Sequence, residues 1–356
     1  MKLQQRKLAF ELLGIFLKQF EDKGKKDNSI TALNQKYYNS AEELIQKAQH
    51  HNGWFTENNV RNAFTAIGKS LDQENIEKWL SAYTIPENPS NPRKIGVIMA
   101  GNIPLVGFHD FLCVLISGNQ ISSKMASEDK LLLPFITEVL ITIEPEFESY
   151  ISFIEGKLQG IDAIIATGGN NTSRYFEYYF GKYPHIIRKN RNSLAVLEGT
   201  ESEEELKNLG KDIFYYYGLG CRNVSKIFIP VGFDINTLFK AIFDFNAIIN
   251  HNKYANNYDY NKVVYLMKKI PLLDNGFLLL KEDSNYASPV AVLHYEYYIK
   301  TQNVLEKIKT DREKIQCIVA KNNVIPESVD FGETQFPGLW DYADGVDTLQ
   351  FLLTLN

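Results

Sequence analysis

The chain has little cysteine. Cys113, Cys221 and Cys317, spread through 356 residues, exclude a disulfide framework and a C-x-x-C zinc spacing, so no metal and a reducing, cytoplasmic setting are expected. It also lacks a block of like charge. The net charge of −5 comes from interspersed acids and bases, which argues against a nucleic-acid or anionic-membrane surface and for small-molecule partners. Long apolar runs are missing too. Between Lys94 and Lys124 the only formal charge is Asp110, yet Gly101, Asn102, Pro104, Gly107, His109, Gly118 and Asn119 break that stretch into pieces too short to span a bilayer. Met1 to Lys7 lead into a charged amphipathic helix rather than the apolar core of a secretory signal. Internal repeats and low-complexity tracts are absent. What remains is ample apolar material, 44% of residues with 13% aromatic, enough for the two domains expected at roughly 150 residues each.

The first ninety or so residues read as helices, with apolar spacing at Leu8, Leu12, Phe16 and Phe20 and again at Val60, Phe64, Ile67 and Leu71. Pro86, Pro89 and Pro92 close this section as an extended linker. Alternating strands and helices follow. Ile95 to Met99 is a buried-strand run, Ala100 to Pro104 a turn, Leu105 to Ser117 a helix, and Gln120 to Met125 the next strand. This is a βαβ unit, and it predicts a parallel sheet. The pattern recurs at Asp162 to Ala166, with Thr167-Gly168-Gly169 between strand and aromatic helix, where a glycine pair lets backbone amides approach a phosphate.

A single cysteine stands in a glycine-framed turn, Gly218-Leu219-Gly220-Cys221-Arg222-Asn223, between an aromatic segment (214–217) and the apolar run 227–229. Glycines permit a tight bend that exposes the sulfur, as a nucleophile requires. Cys113 and Cys317, among apolar neighbours, read as small buried hydrophobes. His109, His185 and His294 read as hydrogen-bonded core histidines, the tyrosines 215–217 as packing surface, and the general acid is left unassigned.

Ala100-Gly101-Asn102-Ile103-Pro104-Leu105, with Lys124 closing the next strand, resembles the proline-flanked asparagine turn and cofactor-binding lysine of the aldehyde dehydrogenase superfamily. Residues 214–221 resemble its aromatic-glycine-cysteine segment. More narrowly, residues 99–110, 218–226 and 337–345 are similar to the LuxC-type acyl-CoA reductases, known from bacterial bioluminescence, from about Ile95 to the C-terminus. The resemblance implies an aldehyde-dehydrogenase-like α/β fold. A Rossmann-type dinucleotide-binding domain with N-terminal helices would occupy 1–196, rejoined by 330–356, and an α/β catalytic domain 197–329.

It further implies reduction of a fatty acyl thioester, carried on CoA or acyl-carrier protein, to the aldehyde through a Cys221 acyl-enzyme. Asn102 and the Cys221 N–H would be oxyanion donors, with Arg222 and Lys226 as nearby cations. Where hydrolytic members carry a water-activating glutamate, residues 188–193 here hold no carboxylate, which favours thioester reduction over oxidation to an acid. Lys124, Ser127, Thr167, Gly168 and Gly169 are the expected cofactor contacts. Ser127 stands where a glutamate commonly binds the ribose of NAD, so NADPH is expected, although Glu128 next to it favours NAD. An acyl-transferring partner and a homo-oligomer are compatible with the resemblance. Acyl-phosphate reduction on the same fold, and thioester acyl transfer without hydride, are the alternatives.

Overall fold

Four helices open the chain: α1 (Leu3–Lys18), α2 (Thr31–His51), α3 (Glu57–Ser70) and α4 (Gln73–Leu80). The inward face of α1 is rotated from the expected stripe: Leu8 is half exposed, whereas Ala9, Phe10, Leu13, Phe16 and Leu17 are buried. The cause is a close helix crossing. Gly14 of α1 meets Gly68 of α3 so tightly that a Cβ on Gly68 would lie 2.6 Å from the Lys18 nitrogen, and this approach turns Phe10 and Leu13 toward the core. Buried Arg6 donates to the carbonyls of Ile116 at 2.7 Å and Pro86 at 2.8 Å, pinning the proline-rich segment. The structure, a computed structural model, describes residues 1–321 and 324–355.

The first sheet is all parallel: β1 (Lys94–Ile98), β2 (Gln120–Lys124), β3 (Ile151–Phe153), β4 (Ala163–Thr167) and β5 (His185–Arg188), in the order β3-β2-β1-β4-β5. Helices α5 (Phe108–Ile116), α6 (Leu132–Ile143) and α7 (Asn170–Phe180) connect them. Alternation along the strands divides the sheet into two faces. Ile95, Val97, Ala163 and Ile165 pack with α5, α6 and the opening helices, while Ile98, Ile164 and Ala166 pack with Phe176 and Phe180 of α7. The chain therefore leaves neighbouring strands β1 and β4 toward opposite faces. A doubly wound sheet opens a crevice at that switch point, outside the carboxyl ends of its strands.

The second sheet contains β6 (Asn192–Val196), β7 (Val224–Pro230), β8 (Leu273–Asp274), β9 (Leu279–Glu282), β10 (Val292–Tyr298) and β11 (Ile315–Val319), in the order β11-β6-β7-β10-β9-β8. All of its pairings are parallel except β8 with β9. Helices α8 (Glu203–Phe214), α9 (Ile235–Ala241), α10 (Asn252–Met267) and α11 (Thr301–Thr310) accompany it, and α12 (Thr348–Leu353) ends the regular structure. The chain divides into one unit of Met1–Lys189 with Pro337–Asn356 and another of Asn190–Phe336. Both edges differ from the expected 196 and 330. Residues 192–196 pair with β7 and β11, and Gly332 and Thr334 are held by Asp212 of α8, so both segments belong to the second unit.

Candidate active site

In the first unit, the sequence-predicted cofactor and oxyanion residues share the carboxyl end of one sheet. Lys124 ends β2 in register with Ile98 of β1, and Ala166, one residue before Thr167, is the partner of Ile98 on the other side. The loop after β1 runs from Met99 to Gly107 and presents Asn102 exposed. It is longer than expected, because Leu105 takes a left-handed conformation (φ 58°) and α5 starts only at Phe108. Gly101 packs against the loop after β2: a Cβ there would lie 2.7 Å from the Ala126 Cβ. From that second loop, buried Asp129 accepts the Leu105 N–H at 2.9 Å through Oδ2, while its Oδ1 is buried with no donor at close hydrogen-bond distance among the described residues. Burial raises its carboxyl pKa to about 6.

Ser127 and Glu128 are exposed on the same loop, and the hydrogen bond from Ser127 holds the Glu128 carboxyl below its ordinary pKa. Thr167 ends β4, Gly169 is the N-cap of α7, and a Cβ on Gly168 would meet Phe176 and Thr172 at 3.0 and 3.1 Å. The glycine at 168 thus serves close helix packing. Lys124 and the α7 start are positive ends beside a switch-point crevice, a donor set that fits the phosphates of a dinucleotide.

Cys221 lies in the second unit, exposed just before β7, whereas Cys113 and Cys317 are buried. Its turn is bent less by glycine than expected. Tyr216 (φ 51°) and Tyr217 (φ 58°) precede Gly218 (φ 74°) in left-handed conformations, which for L-residues cost roughly 1–2 kcal/mol each. Packing supports them: Tyr216 is buried, and Tyr217 stacks on His251 with ring centroids 4.3 Å apart. Hydrogen bonds fix the rest. Asn223 accepts the Gly220 N–H at 2.8 Å and donates to the carbonyls of Asp212 and Tyr215, each at 2.9 Å. Ser193 Oγ donates to the Cys221 carbonyl at 2.9 Å and lies 3.0 Å from Cys317 Sγ. Arg222 Nε donates to the Thr334 carbonyl at 2.6 Å.

Several expectations about neighbouring groups change. The Lys226 side chain is fully buried, and its ammonium binds Glu296 at 2.6 Å and the Ser284 carbonyl at 2.8 Å, so its charge is compensated there. His185 is exposed at the start of β5 rather than in the core. Asp110 forms a buried ion pair with Arg188, which also donates to Thr348 Oγ1 at 2.8 Å. The His109 Nε2–H donates to the Leu339 carbonyl at 2.9 Å, anchoring the returning 337–345 segment to α5. Desolvation keeps that imidazole below its usual pKa. Sequence reasoning misses Asp129, Asp212, Ser193 and Thr334. Only Asn223, inside the cysteine motif, carried a signal.

Among solved structures, aldehyde dehydrogenase 21 from Physcomitrella patens in complex with succinate is similar over 100% of this chain and 84% of its own, with 13% identity and a TM-score of 0.70. The NAD+ complexes of aldehyde dehydrogenases from Bacillus cereus and Mycobacterium tuberculosis each give a TM-score of 0.60 at 13% identity, covering 91% and 90% of this chain and 73% of theirs. The architecture is therefore aldehyde-dehydrogenase-like, with a Rossmann-type domain and a second α/β domain. No curated protein matches the chain. The family model described as acyl-CoA reductase (LuxC) matches residues 11–237, and the chain belongs to that family. The match takes in most of the opening helices as well as both site turns. Among the described residues no helix is long and apolar enough to cross a membrane, and no cluster of His, Cys, Asp and Glu is arranged to hold a metal.

Proposed function

We propose that this chain takes a fatty acyl group from a thioester carrier, acyl-CoA or acyl-carrier protein, onto Cys221 and releases it as the aldehyde, with NADPH as reductant. The observation that carries the reading is the contrast among the three cysteines: two are buried, and the third is exposed in a turn held by its own scaffold of hydrogen bonds. Attack by the Cys221 thiolate on the thioester carbonyl forms a new C–S bond and expels the carrier thiolate. Asn102 and the Cys221 N–H are the donors assigned to the carbonyl oxygen, where charge develops. Residues 188–193 hold no carboxylate to activate water, so the acyl-cysteine waits for reduction rather than hydrolysing. Lys124, Ser127, Thr167, Gly168 and Gly169 would hold the nicotinamide dinucleotide, whose chemistry would be hydride donation to the acyl carbon. Collapse of the adduct then returns Cys221 as thiolate and frees the aldehyde.

The test is incubation with acyl-CoAs of several chain lengths and NADPH, following cofactor absorbance and aldehyde, beside Cys221→Ser and Asn102→Ala. Wild type is expected to consume NADPH and form a protein thioester at Cys221. The serine variant forms none, and the alanine variant folds but turns over slowly. Equal activity in all three proteins would overturn the mechanism, and acyl transfer to a second thiol without NADPH consumption would establish the acyltransferase instead.

A further inference from the structure

The Asp212 side chain is fully buried in α8, and the groups that hold its carboxylate are neutral donors from one segment. Gly332 N–H reaches Oδ2 at 2.7 Å, while Thr334 N–H and Oγ1–H reach Oδ1 at 3.1 and 2.8 Å. A buried carboxylate is costly unless it is hydrogen-bonded in this way. The same segment touches the cysteine turn, since the Thr334 carbonyl accepts from Arg222 Nε at 2.6 Å. From the other side, the Asp212 main-chain carbonyl accepts from Asn223 Nδ2 at 2.9 Å. Both residues that follow Cys221 are thus tied to residue 212, one through its side chain and one through its backbone.

We propose that Asp212 is a positioning residue for Cys221: its carboxylate seats Gly332–Thr334, the abutment on which Arg222 rests, and so sets where turn 218–223 holds the sulfur. The inference rests on Cys221 being the reacting group of the proposed function. An asparagine cannot replace it, because one of its two terminal atoms would present N–H groups to an N–H or hydroxyl donor. A protonated carboxyl loses acceptor capacity in the same way. Burial raises the Asp212 pKa to about 6, and the negative charge of Glu333 on the bound segment pushes in the same direction. Tyr215, just beyond α8, faces the carboxylate as a neutral phenol whose own pKa is raised by burial and by Asp212. The clamp therefore loosens as pH falls through about 6.

Iodoacetamide labelling of Cys221, read by peptide mass spectrometry, tests this without substrate. Below the thiol pKa, the wild-type log rate rises with a slope of about one per pH unit through thiolate formation, and below pH 6 it is expected to steepen toward two. Asp212→Asn should keep a slope of one throughout, label on the order of tenfold more slowly at pH 8, and lose kcat with little change in KM for acyl-CoA. Near-UV circular dichroism checks that it folds. If it does not, Thr334→Val, which removes one donor, should slow labelling by a few-fold. A folded Asp212→Asn protein, or failing that Thr334→Val, with the wild-type rate and slope overturns the proposal. Cys221→Ser retaining full reductase activity would instead sink the acyl-enzyme reading, and the labelling rates would still judge Asp212.

Discussion

The two turns that carry the candidate chemistry, 99–107 in the first unit and 218–223 in the second, are built from the same parts and finished differently. Each is shaped by left-handed non-glycine residues, Leu105 in one and Tyr216 and Tyr217 just ahead of the other. Each is supported by a buried aspartate whose pKa is raised to about 6 by desolvation, Asp129 and Asp212. The difference lies in the donors. Asp212 has hydrogen bonds to both oxygens, whereas Asp129 takes the Leu105 N–H on one oxygen and has no donor at close hydrogen-bond distance on the other among the described residues, the Leu132 N–H acting on the carboxylate more weakly. Burial alone does not make a carboxylate a clamp; the geometry and number of its donors do.

The largest expected effects separate the roles of the turns. Cys221→Ser should abolish the covalent acyl adduct and lower turnover by ~10³-fold or more, and Asn102→Ala should lower kcat by ~10²–10³-fold in a folded protein. Single-turnover acylation followed by mass spectrometry distinguishes them: adduct forms slowly in the second variant and never in the first. A smaller effect sharpens the contrast between the aspartates. Asp129→Asn removes a desolvated charge and should stabilise the protein at pH 8 by on the order of 1–3 kcal/mol, measured by urea unfolding, while Asp212→Asn relieves a similar desolvation but loses an acceptor for the Gly332 or Thr334 N–H and should gain less. Shifts of the same size would erase the distinction.

The sign of the pH dependence follows from the raised pKa values. Each folded carboxyl, near 6, holds its proton more tightly than an unfolded aspartate at 3.8. Their contribution to stability is full below about pH 4 and is lost as pH rises through 6. Asp129→Asn should flatten part of that decline in a series of unfolding curves from pH 4 to 8. The smallest expected effect concerns the cofactor. Glu128→Gln removes an exposed carboxylate hydrogen-bonded to Ser127, and the ratio of kcat/KM for NADPH to that for NADH should rise about two- to five-fold. No change in that ratio would remove Glu128 from the cofactor site.

The α/β alternation, the parallel first sheet and the positions of Asn102, Lys124 and Gly168 at strand ends were legible because buried strands and glycine-bounded turns are written in short, local runs. The exposure of Cys221 followed from the same kind of evidence. The face of α1 was not legible, because Gly14 meets Gly68 across a helix crossing that no periodicity within α1 encodes. Nor was the fate of Lys226: its neighbours in sequence say nothing of Glu296, which β10 brings beside β7.

Residues 192–196 were expected in the first domain, because a buried-strand run does not encode which sheet it joins. Hydrogen bonds to β7 and β11 decide for the second. By itself the amino-acid order determined which residues can do chemistry and which runs become strands, since both depend on side-chain type and near neighbours. Only the tertiary structure decided which buried groups support them. Asp129 meets Leu105 across 24 positions and Asp212 meets Thr334 across 122, and contacts so distant along the chain exist only once the sheets and helices have packed.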